Sequence, residues 1–269
     1  MSEINTKKER ENLYMKLDQL DLVTKLKPLL EKQGYILRAD DAKFVPRNVA
    51  TAWDAPWMYV QFDPIGRCDL YHRVFYNVLG HIHSFCRQCW KVVVRPFNLE
   101  QLFNLYELQR EMGVPCKCGI ELRRTVEGLY GGYFYTRSRD EGEARFREVR
   151  SLVDEHLSPH VPVILKRYCT EFECGGEQIK GLGPSDEIPE SVTAQEREME
   201  AYIEAHFPRI SPQTPMPKHL RAYVMKKWIH HAAEHGDKTY LRFTNGEKLF
   251  PSYVTYNPND GGKEYGAYP

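Results

Sequence analysis

Residues 90–172 alternate strand-type and helix-type segments, and this alternation restricts the fold of the chain more than any other feature. Trp90–Arg95 is apolar and rich in β-branched residues, which is typical of a buried strand, and Pro96 ends it. Asn98 and Gln101 follow at the spacing of a helix N-terminal capping box. The apolar residues of this segment recur at the spacing of one helix face: Leu99, Leu102, Phe103 and Tyr106. The pattern therefore predicts a strand followed by an amphipathic helix that ends at Gly113.

The same pattern returns after a pair of strands. Cys118–Arg124 and Leu129–Tyr135 have the composition of two strands joined by a turn. Ser138 and Glu141 form a second capping box, with apolar residues at helical spacing behind it, and Val161–Phe172 has the composition of a fourth strand. The predicted order is β-α-β-β-α-β, an α+β arrangement of ferredoxin-like type. Right-handed crossovers would place its strands in the order 4-1-3-2.

The rest of the chain is predicted to pack around this core. Gly and Pro residues concentrate at 175–192, which is typical of a linker. Thr239–Thr244 and Leu249–Tyr256 flank an Asn-Gly pair, which indicates a hairpin. The predicted units are an N-terminal helix with short strands over 1–80, the core over 81–174, the linker over 175–192, and C-terminal helices with the hairpin over 193–269.

Charge and hydropathy make two classes of protein poor matches to this sequence. Lys plus Arg and Asp plus Glu both number 37, so the formal net charge is +0. This balance lacks the basic excess typical of proteins that hold duplex DNA through its phosphates. No stretch has the length and apolar content of a membrane span, and the charged first residues do not resemble a secretory signal. We therefore expect a cytoplasmic protein, in which thiols stay reduced.

The seven cysteines of such a chain indicate metal ligands, reactive thiols or buried small side chains rather than disulfides. The predicted topology brings six of them to one end of the sheet, although they are far apart in sequence. Cysteines in closely spaced pairs are typical of thiolate metal sites, and the first predicted ligand set consists of two such pairs: Cys86, Cys89, Cys116 and Cys118. The alternative ligands at the same end are Cys169, Cys174, His81 and His83.

This ligand set predicts zinc as the cofactor, with an iron–sulfur cluster as the alternative, because both take thiolate ligands. Glu171 and Glu173 flank the cysteine-rich end and are candidates for hydrogen bonding around the ligands. Cys68 and His72, spaced C-x3-H, are a weaker pair of candidate ligands.

Tyr133 and Tyr135 share one face of the third strand, and Lys91 and Arg95 belong to the first strand. These four residues are candidates for a surface that stacks on or binds a ligand, with internal packing as the competing interpretation.

The sequence predicts a zinc-binding module for a protein or single-stranded nucleic-acid partner, because four thiolates would leave the zinc no open position. The alternative function is a metal-dependent or iron–sulfur enzyme that uses a thiolate site at the end of the sheet.

Overall fold

The computed structural model describes three continuous stretches of the chain, 56–61, 82–170 and 217–249. The shorter described pieces are 31, 35–37, 44–46, 68, 71–76, 172, 190–191, 193–194, 196–198 and 201. The predicted N-terminal helix and the 175–192 linker therefore fall almost entirely outside the described residues.

A five-stranded antiparallel sheet forms the centre of the described chain. Its strands are β3 (Trp57–Val60), β4 (Trp90–Val94), β5 (Cys116–Ile120), β6 (Tyr130–Thr136) and β7 (Val163–Arg167), in the order β3-β5-β6-β4-β7. Two short strands, β1 (Tyr35–Leu37) and β2 (Phe44–Pro46), pair separately. The protein therefore has an α+β composition, as the sequence predicts.

The observed sheet has five strands, one more than the four that the sequence predicts. The four predicted strands lie as neighbours in the order β7-β4-β6-β5, and β3 extends the sheet beside β5. Trp57 of β3 pairs with Gly119 of β5, where an added Cβ would lie 2.2 Å from the Pro56 carbonyl oxygen. The absence of a side chain at Gly119 thus allows the edge strand to dock, and the resulting order departs from the four-stranded ferredoxin-like arrangement.

Three long helices cover one face of this sheet, and a short helix precedes β4 in sequence. The helices are α1 (Ser84–Arg87), α2 (Leu99–Met112), α3 (Arg139–His156) and α4 (Lys218–Glu234), with a π-helical turn at Tyr71–Tyr76 and a 3-10 helix at Lys238–Phe243. Asn98 accepts from the Gln101 amide at 2.9 Å and Ser138 from the Glu141 amide at 3.2 Å, which confirms both predicted N-terminal caps. No helix in the described part of the chain has the length and apolar content needed to cross a membrane.

The main core lies between the sheet and helices α2, α3 and α4. Val92 and Val94 of β4 face it, together with Leu102 and Leu105 of α2. Trp228 of α4 is fully buried in the same cluster. The indole of Trp228 donates to the Pro56 carbonyl at 2.7 Å, so the C-terminal helix is tied to the edge of the sheet.

The predicted C-terminal hairpin is wrong in its first strand. Residues predicted as the strand Thr239–Thr244 form the 3-10 helix Lys238–Phe243, in which the Thr239 amide donates to the N-terminal cap Asp237 at 3.0 Å. The amide of Gly246 then bonds to the Leu241 carbonyl at 2.8 Å, so the Asn-Gly pair closes a helix end instead of joining strands. All but the first residue of the predicted second strand lies outside the described residues.

Candidate metal centre

The sheet has a second face, opposite α2 and α3, that carries polar and aromatic side chains. Side chains alternate along a strand, so Lys91 and Lys117 point to the face opposite to the one that carries Val92 and the two cysteines of β5. The Lys117 ammonium group lies 4.5 Å from the ring centroid of Trp57 and 5.5 Å from that of Tyr133. Lys91, with 5% exposure, is buried on this face.

Four cysteines from three distant segments meet beside these lysines. Cys86 lies in α1, and Cys89 follows in the turn before β4. The Cys89 carbonyl accepts from the Tyr168 amide at 3.1 Å, which brings the end of β7, and therefore Cys169, next to the C-x2-C turn. The Lys91 ammonium group donates to the Cys169 sulfur at 3.3 Å.

Cys68 joins the other three thiols from an earlier segment. Burial, followed by the charges of Cys169 and Cys89, raises the pKa of Cys68 to about 12 despite the lowering effect of Lys91 and Lys117. Burial likewise raises the pKa of Cys86, which charges on Cys68, Cys169 and Cys89 also raise. This mutual influence places the four thiols in one neighbourhood, which we call the thiol cluster: Cys68, Cys86, Cys89 and Cys169.

Burial favours the neutral form of three thiols of the cluster, Cys68, Cys86 and Cys89. Burial raises the pKa of Cys89 to about 11, with Lys91 lowering it and Cys169 raising it. A thiolate is the form of cysteine that binds metal, and a bound metal favours the loss of the thiol proton. The burial of these thiols therefore opposes ionisation in the absence of a metal and does not indicate a reactive free thiolate.

The spacing within the thiol cluster is wider than the ligand spacing around a single ion. Among the described residues, the three side chains whose donor atoms all lie within 4.8 Å of one another are His231, Glu234 and His235. No three sulfurs of the thiol cluster are that close together.

The first predicted ligand set requires a correction, because Cys116 and Cys118 lie on the other face of the sheet. Both are fully buried in the core, and the Cys116 thiol lies 3.9 Å from the Gln109 carbonyl oxygen of α2. Burial raises the pKa of Cys118 well above its usual value, and the charges of Cys116 and of Glu107 in α2 also raise it. The C-x-C spacing is the period of a strand, so it directs both thiols towards the helices and away from Cys86 and Cys89.

The alternative ligands are placed differently. His83 is buried, its Nδ1 accepts from the Phe85 amide at 3.1 Å, and its Nε2 lies 3.9 Å from a carboxylate oxygen of Glu196. Its ring stacks on Tyr71 with centroids 4.4 Å apart. The structure thus gives His83 a capping and packing role at the start of α1. Four of the predicted residues lie outside the described part of the chain: His81, Glu171, Glu173 and Cys174.

The predicted stacking residue Tyr133 is engaged within the protein. Its hydroxyl donates to the Glu121 carboxylate at 2.8 Å and accepts from Arg123 at 2.8 Å and Arg95 at 3.0 Å. The ring packs edge-on against Trp57, with centroids 5.6 Å apart, and only 4% of the residue is exposed. Internal packing, the competing interpretation, therefore describes Tyr133 in this structure.

Tyr135 and Lys91 also belong to the surroundings of the thiol cluster. Burial raises the pKa of Tyr135 well above its usual value, and charges on Cys169, Cys68 and Cys89 raise it further. The Lys91 ammonium group lies 5.8 Å from the Tyr135 ring centroid. Tyr135 and Lys91 therefore lie beside the thiol cluster. The sequence predicted a ligand-binding surface for them and did not predict this position.

Cys68 lies near the other three thiols, whereas the sequence made it only a weaker candidate ligand. The predicted signal was its C-x3-H spacing to His72, but the His72 ring stacks on Phe172 with centroids 4.4 Å apart. The proximity of Cys68 to Cys169 is a tertiary contact, which no local sequence pattern predicts. No protein-family model, curated protein or solved structure matches this chain.

Proposed function

We propose that the protein carries a metal–thiolate centre whose ligands are Cys68, Cys86, Cys89 and Cys169. The observation that supports it is the convergence of four thiols from three distant segments beside a buried lysine that donates to one of the sulfurs. A cysteine that only fills space in the core does not require a lysine and other thiols from distant segments beside it. Cys116 and Cys118, in the same sheet, are core cysteines of that kind.

Charge balance supports the same assignment. Four thiolates around Zn²⁺, or around an oxidised four-iron cluster, carry a net charge of about −2. Lys91 and Lys117 offer two positive charges on the same face, and Lys91 is buried. A buried ammonium group is costly without a nearby anion, so an anionic centre would stabilise the charged form of both lysines.

Zinc in a structural role is the first version of this proposal. Four cysteine ligands fill a tetrahedral zinc site and leave no position for substrate. The centre would then join α1, the end of β7 and the segment around Cys68, and the ferredoxin-like part of the sheet would serve as a module that binds a protein or single-stranded nucleic acid.

An iron–sulfur cluster, and with it a redox or enzymatic function, is the second version, and sulfur spacing favours it. Sulfurs around one tetrahedral zinc lie about 3.8 Å apart, given Zn–S bonds of about 2.3 Å. The described cysteines contain no trio with all sulfurs within 4.8 Å, so a single zinc would require the side chains to close in. A four-iron cluster binds each thiolate through a different iron and accommodates sulfurs that are farther apart.

Metal and sulfide analysis of the full chain, purified without air, tests the proposal and separates its two versions. About one zinc per chain without colour supports the first version, and iron with inorganic sulfide and a brown colour supports the second. Cys89→Ser and Cys169→Ser are expected to lose the metal, while the matched control Cys116→Ala keeps it because its thiol faces α2. Folded protein that contains no metal, or equal metal loss in the control, would overturn the assignment.

Partner binding is tested separately on the metal-loaded chain. Retention on single-stranded nucleic acid that weakens with added salt would support the nucleic-acid partner. Loss of retention in Cys89→Ser would show that the centre organises the binding surface.

A further inference from the structure

The C-terminal end of α4 brings three side chains of metal-binding type together, far in sequence from the thiol cluster. His231, Glu234 and His235 occupy one turn of this helix and the residue after it. One donor atom of each lies within 4.8 Å of the donor atoms of the other two. Residues three and four apart share a helix face, so the backbone itself holds this arrangement.

An unsatisfied nitrogen provides a second, independent observation. His231 is 6% exposed, and its Nε2 atom is buried without a hydrogen-bond partner in the described structure. Its ring lies edge-on to the Tyr130 ring, with centroids 6.2 Å apart, and against the His235 ring, with centroids 4.0 Å apart. A buried polar atom that lacks a partner costs free energy, and a cation bound to this nitrogen would remove that cost.

The second histidine is held in the orientation and tautomer that metal binding requires. The Nδ1 atom of His235 lies 2.8 Å from the His231 carbonyl oxygen. Because a carbonyl can only accept, Nδ1 carries the proton and Nε2 keeps its lone pair. A backbone carbonyl that orients a histidine in this way is the usual outer partner of a metal ligand.

We propose that His231, Glu234 and His235 form a binding site for a divalent ion of the zinc type, independent of the thiol cluster. Two imidazoles and one carboxylate are ligands that zinc accepts, and three protein ligands leave a position for water or an anion. Glu234 supplies a negative charge, and the C-terminal end of a helix attracts cations through its dipole. Glu234 and His235 are exposed, so an ion reaches the site from solvent.

Titration of the full, untagged, metal-depleted chain with Co²⁺ tests this site. Co²⁺ held by nitrogen and oxygen donors gives visible d–d bands alone, whereas Co²⁺ held by thiolates adds intense near-ultraviolet charge-transfer absorption. The spectrum therefore separates this site from the thiol cluster, and failure of one proposal leaves the other intact. Zn²⁺ added in a parallel experiment should shift the imidazole NMR signals of His231 and His235.

We expect His235→Ala to weaken the nitrogen–oxygen Co²⁺ component by at least about 100-fold and Glu234→Gln by about tenfold. His219→Ala, in the first turn of the same helix, is the matched control and should change affinity less than about twofold. Both His235 and His219 are exposed, so these variants keep the fold, which far-ultraviolet circular dichroism verifies. Absence of nitrogen–oxygen bands in the wild type, or equal weakening in His235→Ala and His219→Ala, would overturn the proposal.

Discussion

At the scale of single residues, the direction of a side chain separates two sets of cysteines that the sequence alone does not distinguish. Cys116 and Cys118 are two apart in a strand, and both therefore face α2. Cys86 lies in the short helix α1, and the Cys89 amide bonds to the Cys86 carbonyl at 3.3 Å, so a tight turn keeps these two residues close together. The C-x2-C pair thus marks the candidate centre, and the C-x-C pair contributes volume to the core.

Gly119 shows how a missing side chain at one residue controls a strand pairing. We predict that Gly119→Ala destabilises the protein by about 3 kcal/mol, because the new methyl group would overlap the Pro56 carbonyl oxygen at 2.2 Å. That oxygen also accepts the Trp228 indole hydrogen bond, so the two contacts are coupled. In a double-mutant cycle with Trp228→Phe measured by urea unfolding, we expect the two costs to sum to more than the cost of the double variant. Strict additivity would mean that Pro56 does not move.

At the scale of secondary-structure elements, the sequence predicts what local contacts determine. Helices α2 and α3 begin at caps that lie within four residues of their partners, and α2 ends at Gly113 with a positive φ of 57°. The 3-10 helix Lys238–Phe243 was predicted as a strand because contacts distant in sequence hold it. Asp237 accepts from the Leu99 amide, 138 positions away, and Thr239 accepts from the Glu100 amide, 139 positions away. The sequence did not place β3 in the sheet, since its pairing depends on the missing side chain of Gly119 in β5. The same distinction applies to the candidate ligands. The C-x2-C pair can be predicted because its residues are close in sequence, whereas Cys68 and Cys169 come together only in the folded chain.

Asp237 joins the 3-10 helix to α2 and to β6 through its two carboxylate oxygens. Its Oδ2 atom accepts from the Leu99 amide and from the Tyr130 hydroxyl, each at 2.6 Å, while Oδ1 accepts from the Thr239 amide at 3.0 Å. Burial raises its pKa, but hydrogen bonds from Tyr130, Thr239 and Leu99 outweigh burial and leave the pKa below its usual value. The carboxylate therefore stabilises the fold above the unfolded-state pKa of about 3.9, and this contribution is lost as pH falls through the lower folded-state pKa.

We predict that Asp237→Asn lowers the free energy of unfolding by about 1–3 kcal/mol at pH 7, because the amide nitrogen would face donors. Urea unfolding of both proteins between pH 7 and pH 2 should show a constant difference above about pH 5 that shrinks below about pH 4. Asn98→Ala is the matched control, since it removes the neutral cap of α2, the helix whose Leu99 amide donates to Asp237. This variant should cost about 1 kcal/mol at every pH. A pH-independent difference for Asp237→Asn would contradict the assigned ionisation.

At the scale of the whole molecule, the C-terminal helix behaves as part of the core. Trp228 packs edge-on against Phe103 of α2, with ring centroids 5.5 Å apart, and against Tyr106 at 6.1 Å. The same residue bonds to the segment before β3. Contacts from one side chain to the sheet edge and to α2 couple the unfolding of 217–249 to that of the central domain, although the two are far apart in sequence.

We therefore predict one cooperative unfolding transition for the central sheet and α4, reported alike by tryptophan fluorescence and far-ultraviolet circular dichroism. Trp228→Ala should lower the free energy of unfolding by about 3–5 kcal/mol, because it empties a fully buried site. Trp228→Phe should cost about 1–2 kcal/mol, since packing is largely kept and the Pro56 carbonyl loses its donor. Tyr223→Ala, on the exposed side of the same helix, is the control and should cost less than about 1 kcal/mol. An early separate transition in Trp228→Ala, with the main transition unmoved, would mean that α4 unfolds independently of the sheet.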